Sequence, residues 1–139
     1  MVGSGVAILE SEVAEVVAAV SERMKEPTYA QLAVGNFVQA QPHVSKYLTA
    51  KMERLGGGEA VIHAVFHAEV LAECIRNHHG AERTVSFARL DETSGLDPVG
   101  RLQEQEPALA AYLEGNVEAR MRGVIAHVGL ALVAVHGDD

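Results

Sequence analysis

One stretch restricts the fold more than any other: GGGEAVIHAVFHAEVLAECIRNHHG, residues 56–80. After Gly58 it runs to Gly80 without a helix breaker. On a helical wheel Ala60, Val61, Ala64, Val65, Ala68 and Leu71 fill one broad face, while Ile62, Phe66 and Val70 make a second apolar strip. A surface helix needs one such stripe, so a helix apolar on two sides belongs at the centre of a bundle. Glu69, Glu73 and Arg76 share the remaining edge, at spacings that favour an ion pair.

The rest of the chain supplies what such a helix needs around it. It is 48% hydrophobic, without Trp and with only three Phe and three Tyr, a balance that suits closely packed helices better than aromatic strands. The 139 residues match one domain, 1–139, predicted to be an all-α, compact helical bundle of about five helices. Val6, Leu9, Val13, Val16, Val20 and Met24 mark the stripe of a first helix, with Glu10, Glu12, Glu15 and Glu22 between them. Pro27 ends it, and Thr28 is placed to cap a second helix through Tyr29, Leu32, Phe37 and Val38.

Two segments read as copies. FVQAQPHVSKYL at 37–48 and LQEQEPALAAYL at 102–113 set Pro42 and Pro107 at the same offset before Tyr47-Leu48 and Tyr112-Leu113. Each leads, after a polar stretch, to an apolar helix opening Val61-Ile62 or Val124-Ile125. The expected units are 28–79 and 93–136, packed face to face about an approximate two-fold axis, with inner helices at 58–79 and about 107–136. Between them, a short helix is expected around Thr84–Leu90, followed by a loop.

Eleven Lys and Arg against 19 Asp and Glu give a net charge of −8, which disfavours nucleic acid as a partner. The dense basic spot Arg120-Met121-Arg122 reads as a solvated helix face. The most apolar run, GVIAHVGLALVAV at 123–135, falls short of the roughly 20 residues that cross a bilayer, so no membrane contact is expected. The first residues lack a basic segment and do not resemble a secretory signal. With one cysteine, Cys74, no internal disulfide is available, and a reducing, cytoplasmic setting is expected. Gly123 and Gly129 could be buried within the chain or against another subunit.

His63 and His67 stand four residues apart, the spacing that lets two imidazoles on adjacent turns share a metal ion. His127, in the other inner helix, would complete a trio, with Glu59 or Glu69 as a carboxylate. A zincin would need Glu where Ala64 stands, and ferritin-like sites use Glu-x-x-His, which Glu59 to His63 misses by one residue. Cys74 lies about 10 Å beyond His67 along a straight helix, too far to join. The plainer reading makes these histidines neutral, hydrogen-bonded core residues. His78 and His79 before Gly80 read as a helix C-terminus. RLGGGEA reads as a connection, since Glu59 already supplies the negative charge that a helix start attracts.

No nucleotide-binding or nucleophile motif is present. The expected function is binding without catalysis or cofactor: an adaptor, regulatory or scaffold protein with a protein partner, self-associating as a homo-oligomer. The alternative is a metal- or haem-binding bundle, a sensor or oxidoreductase, with His63, His67, His127 and Glu59 as the ligand set.

Overall fold

Proline and glycine punctuate the chain into more helices than the hydrophobic periodicity suggests. Pro42, Pro98 and Pro107 each open a helix, where the missing N–H costs nothing. Gly56, in the left-handed region at φ 118°, closes another. The computed structural model describes residues 7–136 apart from Glu82, which leaves Val6 of the first apolar stripe outside the described residues. Its elements are α1 (Glu10–Arg23), α2 (Tyr29–Ala40), α3 (Pro42–Ala50), α4 (Met52–Leu55), α5 (Gly58–His79), α6 (Phe87–Thr93), α7 (Pro98–Gln105), α8 (Pro107–Asn116) and α9 (Ala119–Ala134).

The all-α class holds, and no strand occurs among the described residues. The expected count of about five helices becomes nine among the described residues. The second inner helix is two helices, α8 and α9, because Val117 is extended at φ −124°, ψ 136° and interrupts the ladder. The stretch after the short helix is not all loop: Asp97, at φ 51°, accepts a hydrogen bond from Gly100 N–H and starts α7. The short helix itself begins three residues later than expected, with the Ser86 hydroxyl accepting from Arg89 N–H. Thr28 precedes α2, but its hydroxyl makes no capping bond.

α5 and α9 pack on each other at the centre. α1, α2, α3 and α4 lie against α5, while α6, α7 and α8 lie against α9. α1 crosses to α8, and α3 to α6. One cluster of buried apolar side chains runs from Ile8 to Val135. Gly129 marks the closest approach: a Cβ there would stand 3.2 Å from Leu71 Cδ1 and 3.4 Å from Leu102 Cδ2. Gly129 is therefore used inside the chain, where α5, α7 and α9 meet.

The residue before each proline performs a matching task. Gln41 and Glu106, at φ −132°, ψ 66° and φ −140°, ψ 76°, are both buried and turn the chain into α3 and α8. Gln41 Oε1 accepts from Val85 N–H at 2.8 Å, and its amide donates to the Arg83 carbonyl at 2.7 Å. Glu106 Oε1 accepts from Ile8 N–H at 2.8 Å. Val85 lies two residues before α6 and Ile8 two before α1, so each anchor holds the start of a distant helix.

Burial raises the Glu106 carboxyl above the usual range, while the Ile8 N–H pulls it down in part. An acid held above its ordinary pKa costs stability as pH rises through that raised value. Glu106→Gln keeps the acceptor and removes the buried charge. It is expected to raise the melting temperature by a few degrees at neutral pH, an advantage that closes as pH falls and the wild-type carboxyl protonates. Calorimetric scans across pH check this; an unchanged or lower melting temperature at neutral pH would contradict it.

Candidate functional site

The two Pro-led helices carry their tyrosines into the centre. Tyr47 on α3 donates its hydroxyl hydrogen to His127 Nδ1 on α9 at 2.8 Å, and Tyr112 on α8 pairs with His67 Nδ1 on α5 at 2.8 Å. The assignment at His127 follows from its other nitrogen: Nε2 lies 2.7 Å from the Leu90 carbonyl, an acceptor only, so Nε2 carries the hydrogen and Nδ1 accepts. With burial favouring the uncharged ring, His127 is held neutral and fixed at both nitrogens. Burial lowers its pKa, the Leu90 carbonyl raises it, and the charges of Arg101 and Lys51 lower it further. Burial, then His63, lowers His67. Burial raises Tyr47, with Arg54 opposing, and pushes Tyr112 up to about 12.

What differs between the two pairs is the space beside them. α1 has 14 residues and α6 only seven, so α1 extends about two turns further. Val17 and Val20 in the second half of α1, with Met24 just after it, line a small cavity of about 190 Å³ beside Tyr112 and His67. After α6 stops at Thr93, the chain turns away through Ser94 and Gly95, and a groove of about 500 Å³ opens over Tyr47 and His127. Phe87, Leu90 and Val124 give it apolar walls, and Lys46, Lys51 and Arg54 line it with one carboxylate, Asp91. Lys51 Nζ lies 5.4 Å above the Tyr47 ring.

The proposed ligand residues lie as follows. His63 and Glu59 are exposed on the first turns of α5, with Ile62 beside them at 55% exposure, so the second apolar strip is enclosed only further along, at Phe66 and Val70. His67 is engaged by Tyr112, and His127 by Tyr47 and Leu90 on the far side of the α5–α9 pair. The structure therefore leaves His63 and His67 neighbours and does not bring His127 to them. Among the described residues, no group of three or more His, Cys, Asp or Glu is placed to hold a metal ion. Glu69 pairs with Arg76 at 3.2 Å. Glu73, which the wheel puts on the same edge, is buried and held by Arg23 of α1 at 3.0 Å. His78 faces Glu12 at 2.9 Å and His79 stacks on His136, at the end of α5 where Gly80 is left-handed. Cys74 is buried, with its thiol pushed up to about 12 by burial and by Glu73, which keeps it protonated.

Sequence reasoning missed the groove. Its tyrosine was visible as the repeated Tyr-Leu, and its cations as a net positive stretch, PHVSKYLTAKMERL at 42–55. The early stop of α6, which joins them into one concave surface, had no sequence signal of comparable strength. Comparison with known protein families, with curated proteins and with solved structures gives no match, so the reading of this site rests on its geometry.

The neutral imidazoles have a measurable consequence. A histidine held below its ordinary pKa stabilises the fold above the usual histidine range, and that stability is lost as pH falls from that range toward the lowered value. In a Glu106→Gln background, which removes the opposing carboxyl, the urea midpoint is expected to fall between pH 7.5 and 5.5. His127→Gln should flatten part of that slope. Identical slopes with and without His127 would contradict the assignment.

Proposed function

We propose that this chain is a non-enzymatic helical binding protein, working as an adaptor, regulatory or scaffold component, and that it engages a protein partner through the groove over Tyr47 and His127. The observation that supports this is the unequal space beside two otherwise matching tyrosine–histidine pairs, about 190 Å³ beside α1 and about 500 Å³, lined by three cations, beside α6. At His127 both imidazole nitrogens are occupied, which suits a fixed floor better than a proton carrier. A half-open cavity with aromatic and aliphatic walls and a charged rim has the make-up of a recognition surface.

The matched roles of Gln41 and Glu106, and the crossed contacts of α1 with α8 and α3 with α6, support duplication of a helical unit as the origin of the two pairs. Self-association would draw on apolar side chains still more than half exposed, Leu9, Leu32, Ile62 and Leu96. The inert thiol of Cys74 suits a reducing, cytoplasmic setting.

The test is retention of proteins from an extract of the source cells by three immobilised forms: wild type, Lys51→Glu/Arg54→Glu, and Glu15→Lys as a surface control. Partners held by wild type and control and released by the groove variant support the reading. Retention that ignores the groove variant would overturn it. Light scattering over a concentration series tests self-association, and a constant monomer mass would remove that part.

A further inference from the structure

The cations of this acidic chain differ in what they meet, and Arg122, away from the groove, is held by the Val117 and Glu114 carbonyls. Arg23, Lys25, Arg76 and Arg89 have carboxylate partners at 3.0 Å, 3.0 Å, 3.2 Å and 3.0 Å. Lys46, Lys51 and Arg54, which line the groove, have no carboxylate within ion-pair distance among the described residues, and nor has Arg101 behind it. Arg101 donates to the carbonyls of Leu96 and Thr93, and its Nη2 is buried with no acceptor. That guanidinium presses against Gly95, a wall of the groove: a Cβ on Gly95 would lie 3.4 Å from Nη2. Its charge is felt at His127 on the floor. Arg101 does not itself line the groove, but its guanidinium behind the Gly95 wall adds positive potential there.

Cations lacking partners around an apolar floor, in a chain of charge −8, define the complement. Resting on the groove reading above, we infer that the occupant is an acidic peptide segment of another protein, with one large apolar side chain seated between Phe87 and Leu90 and flanking carboxylates facing Lys51, Arg54 and the Arg101 wall. Asp91 and Ser94 on the opposite lip can accept from the peptide backbone. A polyphosphate chain is disfavoured because it has no apolar group to set against Phe87, Leu90 and Val124. A second copy offering its acidic α1 would make a head-to-tail contact that need not close, the geometry of an open filament.

The test uses the whole chain. A random heptapeptide library is selected on wild type, and the enriched peptides are measured by fluorescence polarisation and by amide chemical shifts. The expected peptides are net negative with one large apolar residue, shift the amides of Lys51, Tyr47, Phe87 and His127, and bind Lys51→Glu/Arg54→Glu at least about tenfold more weakly. Peptides with the carboxylates replaced by lysines should bind that charge-reversed variant better than wild type. Both substituted side chains reach solvent, and an unchanged melting curve for the variant confirms that it is folded. Neutral or basic peptides that still shift the groove amides would overturn the acidic specificity and leave the groove itself standing. Selected peptides whose shifts lie elsewhere would remove both. Benzoate or inorganic phosphate shifting the groove amides, with no peptide enriched, would assign the site to a small anion and overturn the inference.

Discussion

Replacing Gln41 by alanine is expected to cost about 2–4 kcal/mol, among the largest losses available to a single polar side chain in this molecule. The reason is local accounting of hydrogen bonds. Gln41 is fully buried, and its amide serves both the Val85 N–H and the Arg83 carbonyl, the two backbone groups that bring the chain into α6. Alanine leaves the first without an acceptor and the second without that donor, and it also opens a void of amide size. Chemical denaturation measures the loss, and hydrogen exchange locates it: the Val85 amide should lose protection far more than amides of α5. Gln41→Glu should be milder than alanine, since it retains the acceptor that Glu106 uses for Ile8. A stability change below about 0.5 kcal/mol for the alanine variant would contradict the anchoring role.

A second large effect is expected at the meeting of the inner helices. Leu71 is fully buried on α5, with Cδ1 directed at Gly129 of α9. Leu71→Ala should cost about 3–5 kcal/mol, the sum of lost burial and the cavity left behind. Gly129→Ala alone gains helix propensity but crowds Leu71, so its own effect is small and of either sign. Combined with Leu71→Ala, the new methyl enters space the leucine vacates. The double variant should be at least about 0.5 kcal/mol more stable than the two single changes added together. Strict additivity would mean that α5 and α9 do not meet here.

How far the chain could be read in advance varied with the kind of signal. The long apolar face of α5 and the acidic stripe of α1 are periodic over many turns, and both elements stand as helices with Val13, Val16 and Val20 inward. Pro42 and Pro107 were recognisable as matching positions, and both open helices. The helix count failed where single residues, Val117 and Asp97, break or start an element against the run of the periodicity. The histidines raise a different difficulty. Spacing of four along one helix made His63 and His67 neighbours, but the hydroxyls that meet His127 and His67, those of Tyr47 and Tyr112, come from other helices, 80 and 45 residues away in the chain.

Sequence by itself determined that the chain is helical and which faces turn inward, because apolar periodicity and the backbone limits of proline and glycine act within a few residues. It also determined the acidic character of the molecule, a sum that needs no coordinates. Tertiary structure decided the rest: which imidazole meets which hydroxyl, and why one of two similar pairs borders a much larger groove than the other. Those outcomes depend on where α1 and α6 end relative to helices distant in the chain, and no local pattern carries a distance of that kind.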